Sequence, residues 1–335
     1  MANRVRDGHY LVTGGAGFIG SHLVDLLLAA GYRVTVVDDL SVGKLRNIAH
    51  HHNNPHFCFV KGSILDAPLM EELASQVQGI YHLAAVVGVK YVVDDPLRGM
   101  KVNVRGTETV LEAALAHSCK VLTVSSSETY GKSPQIPLSE DADLLMGPAS
   151  VPRWSYAVSK LLDEHLALAY HRQRGLPVVV VRYFNAYGPR LDPRGYGSVV
   201  ARFITQALTG QPLTIYGTGE QTRSFTYVGD TARGTQLAME TPAAEGRVFN
   251  IGNGREISIA ALAEQIRALV PGTAAPVQIP YAEAYGADFE EAQRRLPDTS
   301  RAAEILGFKA QVSLEAGLEQ TIRWFEEQGD ELITA

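Results

Sequence analysis

The stretch "YLVTGGAGFIGSHLVDLLLAAG", residues 10–31, decides the fold. An apolar, β-branched run ends in a glycine-rich turn, and the turn opens an amphipathic helical pattern. Gly14, Gly17 and Gly20 form G-x-x-G-x-x-G. In such a turn the first glycine permits the tight bend. The second lets backbone approach a pyrophosphate, and the third lets helix pack on strand. The helix N-terminus then offers unpaired N–H groups and the positive end of its dipole to an anion. Asp38 follows at the end of the next strand-like run. A carboxylate there accepts hydrogen bonds from ribose hydroxyls and repels a 2′-phosphate, which favours NAD over NADP.

Working outward, short apolar runs alternate with helical patterns. Strands are expected at 9–13, 33–38, 56–62, 79–85, 120–126 and 177–184, with helices near 20–30, 66–76, 97–117 and 155–173. Alternating β and α with nearly all-apolar strands implies a parallel sheet covered on both faces. The rhythm breaks after Phe184 at "NAYGPRLDPRGYG", rich in Gly and Pro. Helices near 198–209, 230–239 and 258–270 and strands "PLTIYG" and "RVFNIG" follow. The expected architecture is α/β: a Rossmann-type doubly wound parallel sheet over residues 1–180, with later segments near 226–250 returning to it. A smaller α/β substrate-binding lobe takes the rest of 181–330, interleaved with the sheet.

The chain has 335 residues, 46% hydrophobic and 20% charged, with a net charge of −6. That balance argues against a nucleic-acid or anionic-membrane partner. The N-terminus lacks an apolar signal region, and no apolar run reaches the roughly 18 residues of a membrane span. Cys58 and Cys119 both sit in apolar runs and are expected to be buried core residues in a reducing cytoplasm.

Tyr156 and Lys160 lie four apart at the start of a helical stretch, hence on one face. Free tyrosine is a poor base near neutrality. A neighbouring ammonium stabilises the phenolate, so Lys160 is expected to lower the Tyr156 pKa and to touch the nicotinamide ribose. The fifth strand ends in "SSSETYG" (125–131), at the end where such sheets bind ligands. Ser126 and Ser127 are placed to hydrogen-bond a reacting hydroxyl. Glu128 adds a carboxylate suited to proton movement beside a ketone. Arg190, Arg223 and Arg295 fall in loops and edges of the second lobe, and forked guanidinium donors suit a diphosphate and a carboxylate.

These motifs, with "HLAA" (82–85), "NVRGT" (103–107), "RYFNAYGPR" (182–190) and "QTRSFTYVGD" (221–230), resemble the extended short-chain dehydrogenase/reductase family of NAD-dependent epimerases and dehydratases. The stretches 147–160 and 284–302 are most similar to its UDP-glucuronate decarboxylases. The resemblance implies an NAD-dependent enzyme on a UDP-sugar. Decarboxylation through a 4-keto intermediate would give UDP-xylose or a UDP-4-keto-pentose. The alternatives are a UDP-sugar 4-epimerase on UDP-glucose or UDP-glucuronate, then an NDP-sugar 4,6-dehydratase. The dehydratase expects an acidic residue at 127, where this chain has Ser. A non-catalytic NAD-sensing module is the rival from another class.

The resemblance also implies site residues. Around NAD it points to Phe18, Ile19, Ser63, Ile64, Leu83, Ala84, Ala85, Asn103, Tyr183 and Asn185, beside the glycines, Asp38, Tyr156 and Lys160. Around substrate it points to Tyr91, Arg153, Asn185 and Arg223, with Ser126 and Ser127. Arg295 is implied as an acid, and Phe289 is placed under the sugar or base. Related proteins pair two long helices per subunit, which implies a homodimer through 97–117 and 155–173. No metal is expected: the histidines of "AHHHNNPH" (49–56) lack a metal-site spacing. Trp154 and Trp324 are expected to pack.

Overall fold

The computed structural model describes residues 8–87, 95–193, 198–281, 283 and 292–329. Strands β1 (His9–Thr13), β2 (Arg33–Asp38), β3 (Phe57–Lys61), β4 (Gly79–His82), β5 (Lys120–Ser126) and β6 (Val178–Tyr183) alternate with helices α1 (Phe18–Ala29), α2 (Ala67–Ala74), α3 (Pro96–Met100), α4 (Gly106–Ala116) and α5 (Trp154–Arg174). With a later strand, β11 (Arg247–Ile251), these strands form one sheet in the order β11-β6-β5-β4-β1-β2-β3, all pairs parallel. The reversal of order between β1 and β4 opens a crevice at the strands' carboxyl ends.

Period-two alternation sends successive side chains to opposite faces. Val12, Val36, Leu122, Val179 and Val181 pack with Leu23, Val24 and Leu27 of α1. Leu11, Val37, Ile80, Val121 and Val180 pack with Met70 of α2 and Val110 and Leu111 of α4. The sheet is therefore a double-sided core, and both faces need helices to keep water off them.

The chain leaves the sheet through β7 (Ala186–Tyr187), α6 (Val199–Leu208), β8 (Thr214–Tyr216), β9 (Thr222–Arg223) and β10 (Thr226–Tyr227). It returns with α7 (Val228–Glu240), which packs on α1, and β11 (Arg247–Ile251), which pairs with β6. It leaves again through β12 (Ile257–Ser258), α8 (Ile259–Leu269), β13 (Val277–Ile279) and β14 (Arg294–Arg295). Helices α9 (Ser300–Leu306) and α10 (Leu314–Gln328) follow. Ala302, Leu306 and Phe308 also enter the sheet's core, a contribution the sequence pattern did not mark. The smaller lobe has its own core, in which Phe203 and Ile204 meet Leu262, Ile266, Leu318 and Phe325.

Two expectations need correction. The continuous helix over 97–117 is interrupted by a wide, i to i+5 turn at Lys101–Arg105. Such bulges re-aim side chains, and this one turns Asn103 inward. At Gly106, a Cβ would lie 2.7 Å from Cγ1 of Ile64, so only glycine lets α4 approach the wall that carries Ile64. Cys119 is buried, but Cys58 is exposed because β3 is the outermost strand of the sheet. Both tryptophans pack: Trp154, the first residue of α5, is buried, and Trp324 lies against the second core.

Phe249 on β11 is fully buried in the sheet's core. Phe249→Ala should cost about 3–5 kcal/mol, the usual range for emptying such a site. A shifted denaturant midpoint with unchanged slope is expected. A change below about 1 kcal/mol would show that β11 is not part of that cooperative unit.

Candidate active site

A groove of about 480 Å³ runs along the carboxyl ends of the strands. Gly14, Gly17, Phe18, Ile19 and Gly20 line one wall; Asp38, Ser63 and Ile64 line the far end. Leu83, Ala84 and Ala85 form the floor beyond β4. Ser126, Ser127, Glu128, Arg153, Tyr156 and Lys160 gather at the opposite end, beside Tyr183 and Asn185. Parallel strands bring these dispersed segments to one edge of the sheet.

The wall fits a dinucleotide. Gly14 has φ +71, and a Cβ there would lie 2.8 Å from backbone atoms of Ala84. Helix α1 begins without a side-chain cap and without an acidic residue in its first turn, so its N–H groups face the groove. Asp38 accepts from the N–H of Ala16 (3.0 Å) and Leu40 (2.8 Å). Burial raises its pKa, while those two hydrogen bonds oppose the rise. The backbone thus fixes the carboxylate at the groove's end, where a ribose would lie.

Tyr156 and Lys160 converge on the groove, but not in the electrostatic relation expected from their spacing. The Lys160 ammonium turns into the interior, donating to the Val124 carbonyl (3.0 Å) and to Asp163 Oδ2 (3.2 Å). Burial is the largest influence on Tyr156 and pushes its pKa above the ordinary tyrosine range. The hydrogen bond to Ser126 pulls it down, and the charges of Glu128 and Asp163 push it further up. Lys160 is not among the groups that shift the phenol; its ammonium is held by Asp163 and the Val124 carbonyl. Below the pair, His82 spans Thr13 (2.8 Å) and Thr107 (3.0 Å) and is fully enclosed. Burial, then the Lys160 charge, lower its pKa to about 3.

Glu128 meets Arg295 in a bidentate pair: Nη1 donates to Oε1, and Nη2 to Oε2 at 2.9 Å. Arg153 Nη2 approaches Oε2 at 3.4 Å. Parallel pairing of β14 with β9 sets Arg223 beside Arg295. Burial alone would raise the Glu128 pKa. Arg295, with Arg153 and Arg223 behind it, outweighs burial and holds the carboxyl at about 2. Burial and the neighbouring Arg295 lower Arg223 to about 10. Among the described residues, one carboxylate stands among three guanidiniums here: Glu128 and Arg153 line the groove, and the buried Arg223 and Arg295 stand behind them rather than in its lining.

Some expected residues are elsewhere. Asn103 does not line the groove: its amide bridges both backbone polar groups of Val86 and the Ser159 hydroxyl, so it braces the wall. Arg190, with φ +67, turns from the groove to pair with Asp25 on α1 at 2.7 Å. The expectation of Arg190 on a diphosphate is replaced by this contact between loop and helix. Tyr91 and Phe289 lie outside the described residues. The sequence reading missed Asp163, although Tyr156, Lys160 and Asp163 stand at i, i+4 and i+7 on one helix. It also missed that His50 and His51 both reach Asp25 Oδ1, at 2.8 and 2.6 Å, a contact between distant segments with no local pattern.

A doubly wound sheet with a glycine turn, a Tyr-x-x-x-Lys helix and a Ser-Ser-Glu strand end defines a nucleotide-sugar enzyme of the short-chain dehydrogenase type. The family model described as GDP-mannose 4,6 dehydratase matches residues 11–321, and the chain belongs to this NAD-dependent epimerase/dehydratase family. It is 44% identical over 317 residues to a UDP-N-acetyl-alpha-D-glucosaminuronate decarboxylase of Bacillus cytotoxicus, covering 95% of this chain and 97% of that protein. It is 37% identical over 318 residues to UDP-glucuronic acid decarboxylase 1 of Xenopus tropicalis, covering 95% of this chain and 72% of the relative. Among solved structures, a UDP-glucuronic acid 4-epimerase variant from Bacillus cereus in complex with NAD and a fluorinated UDP-glucuronic acid matches with TM-score 0.85 and 34% identity. That match covers 96% of this chain and 99% of the other.

The depressed Glu128 pKa makes a stability prediction. Its ordinary value is about 4.5 and its folded value about 2. The contribution is therefore full above about 4.5 and disappears as pH falls toward about 2. Glu128→Gln should lower the denaturant midpoint most at neutral pH, and the gap to wild type should narrow near pH ~3. A gap that widens in acid would contradict the assignment.

Proposed function

We propose that this protein decarboxylates a UDP-linked hexuronic acid through a 4-keto intermediate. The observation that carries the reading is the cluster of Arg153, Arg223 and Arg295 around an ionised Glu128 at the reactive end of the groove. The diphosphate of any UDP-sugar can engage part of this guanidinium cluster, and a substrate carboxylate complements the rest, which a neutral sugar does not. The cluster also disfavours 4,6-dehydration, which needs a carboxylic acid able to donate a proton; Glu128 at about 2 is an anion near neutrality. UDP-glucuronate and its 2-acetamido analogue are the candidate substrates, in keeping with the two decarboxylase relatives.

When bound, NAD supplies a hydride acceptor for C4 and a donor to return it. The Gly14–Gly20 turn and the start of α1 would hold its pyrophosphate, and Asp38 its adenosine ribose. Tyr156 takes the proton of the 4-hydroxyl, relayed past Ser126. The resulting C4 ketone makes the C6 carboxylate that of a β-keto acid. The C5–C6 bond then breaks, carbon dioxide leaves, and the bonding pair spreads onto the C4 oxygen as an enolate. Ser126, Ser127 and the protonated Tyr156 donate to that oxygen. Glu128 orients Arg295 rather than acting as the acid, and a solvent-derived proton adds to C5. With the hydride that the bound cofactor would give back to C4, the Tyr156 proton passes to the C4 oxygen and completes UDP-xylose, or the 2-acetamido pentose. Release before that return leaves the 4-keto-pentose.

Incubation with either UDP-hexuronate in heavy water, followed by NMR, should show loss of C6 and one deuterium at C5. Tyr156→Phe should reduce turnover about 10²–10⁴-fold while retaining NAD binding. A UDP-galacturonate-type product with C6 intact would instead assign a 4-epimerase, which also needs a carboxylate site. A Tyr156→Phe variant with full activity would mean a non-catalytic role for the pair.

The same reading includes a homodimer and a cytoplasmic setting. Val158 and Leu162, one turn apart on α5, are exposed, as are Leu97 and Met100 on the adjoining α3. Helix α4 contributes Glu108 and Glu112 to the surface, so the apolar face belongs to α3 and α5. Pairing two such faces would cover them. Leu162→Arg should convert a dimer to monomer in light scattering after size exclusion; a monomeric wild type would contradict the pairing. Two free cysteines, one exposed, suit a reducing compartment.

A further inference from the structure

Asp163 has no part in the mechanism above, yet it is fully buried one turn beyond Lys160. Its Oδ2 accepts from the Lys160 ammonium at 3.2 Å, and Thr107 is the other side chain that lowers its pKa by hydrogen bonding, against the rise that burial causes. A fully buried carboxylate is costly as a packing residue, since an amide or apolar side chain would fill the space at less expense. Lys160 is itself buried, and its other contact is the Val124 carbonyl. Tyr156, Lys160 and Asp163 occupy one face of α5, so the lysine stands between a phenol and a carboxylate.

We infer that Asp163 is a positioning residue that competes with Tyr156 and with the dinucleotide for the Lys160 ammonium, and so keeps the phenol protonated until the lysine is drawn away. The inference rests on the reading of Tyr156 as the base. Two effects act in the same direction: the Asp163 charge disfavours a phenolate, and its grip withholds the cation that would stabilise one. Other charged groups face this cluster from each neighbouring element. Glu128 and Arg153 approach from the β5 turn and the start of α5. His82 on β4 is neutral near physiological pH. Glu164 and Arg182 neutralise each other in a bidentate pair of 2.9 and 2.7 Å between α5 and β6. Among the described residues, Asp163 is the carboxylate that bonds the lysine directly.

The test is a pH titration of tyrosinate absorbance in the NAD-loaded protein, each form measured against its own Tyr156→Phe counterpart to isolate one phenol. Asp163→Asn and Asp163→Ser are both titrated, so that a folding defect in one, seen by circular dichroism, leaves the other. The midpoint should fall by about one pH unit, tenfold in proton affinity, relative to wild type. The acid limb of kcat should move the same way. An unchanged or higher midpoint in a folded variant would reduce Asp163 to a structural role and overturn the inference. Absence of any Tyr156-dependent band in every form would instead remove Tyr156 as the base, and the inference with it.

Discussion

The bidentate pair between Glu128 and Arg295 joins two parts of the molecule that have separate cores. Glu128 follows β5 at the centre of the sheet, and Arg295 ends β14 in the smaller lobe. Arg295 is largely buried and needs a charged partner, whereas Glu128 is half-buried and keeps Arg153 at 3.4 Å as a second one. The pair therefore ties the smaller lobe to the carboxyl end of β5, beside the groove. Arg223 reaches the same place because β9 and β14 run side by side in register, Arg223 opposite Arg295.

Beneath this contact lies a second layer of polar groups that hold the catalytic helix. Glu164, one helical turn after Lys160, receives both Arg182 and the Ser125 hydroxyl. Arg182 lies 4.7 Å from the Tyr130 ring centroid, and the Tyr130 hydroxyl donates to Asn250 at 2.7 Å. Asn250 in turn donates to the carbonyls of Leu138 and Asp298. Strands β5, β6 and β11 and helix α5 are thus tied by satisfied buried bonds rather than by apolar contact alone. Such a network rigidifies its surroundings when every member is partnered. Tyr156 and Ser126 stand directly above it, which explains how a groove lined partly by loops keeps a fixed reactive end.

Much of this was legible in the sequence, for identifiable reasons. Strand and helix periods are local, and the parallel sheet follows from near-continuous apolar strands. The glycine turn, Asp38 and the Tyr156–Lys160 spacing are likewise short-range patterns whose chemistry travels with them. What escaped the sequence was long-range electrostatics. The exception is Asp163, whose bond to Lys160 is local: spacing that placed Lys160 beside Tyr156 also offered this carboxylate on the same helix face. Arg190 looked like an anion-binding arginine in a glycine-rich loop, yet Asp25, distant in the chain, claims it. Asn103 sat in a recognisable motif, but the wide turn preceding α4 carried its side chain into the wall. Cys58 lay in an apolar run whose place at the sheet's edge depends on strand order, which no local pattern encodes.

The central claim is that the reactive end of the groove recognises a sugar carboxylate through its surplus of guanidinium charge. Isothermal titration of the NAD-loaded Tyr156→Phe protein with UDP-glucuronate and with UDP-glucose, at low and moderate salt, tests it most directly. The account predicts at least about tenfold tighter binding of the uronate, one decade being about 1.4 kcal/mol, with the difference lost in Arg295→Gln. Equal affinity for the two sugars, or a preference for UDP-glucose, would contradict it.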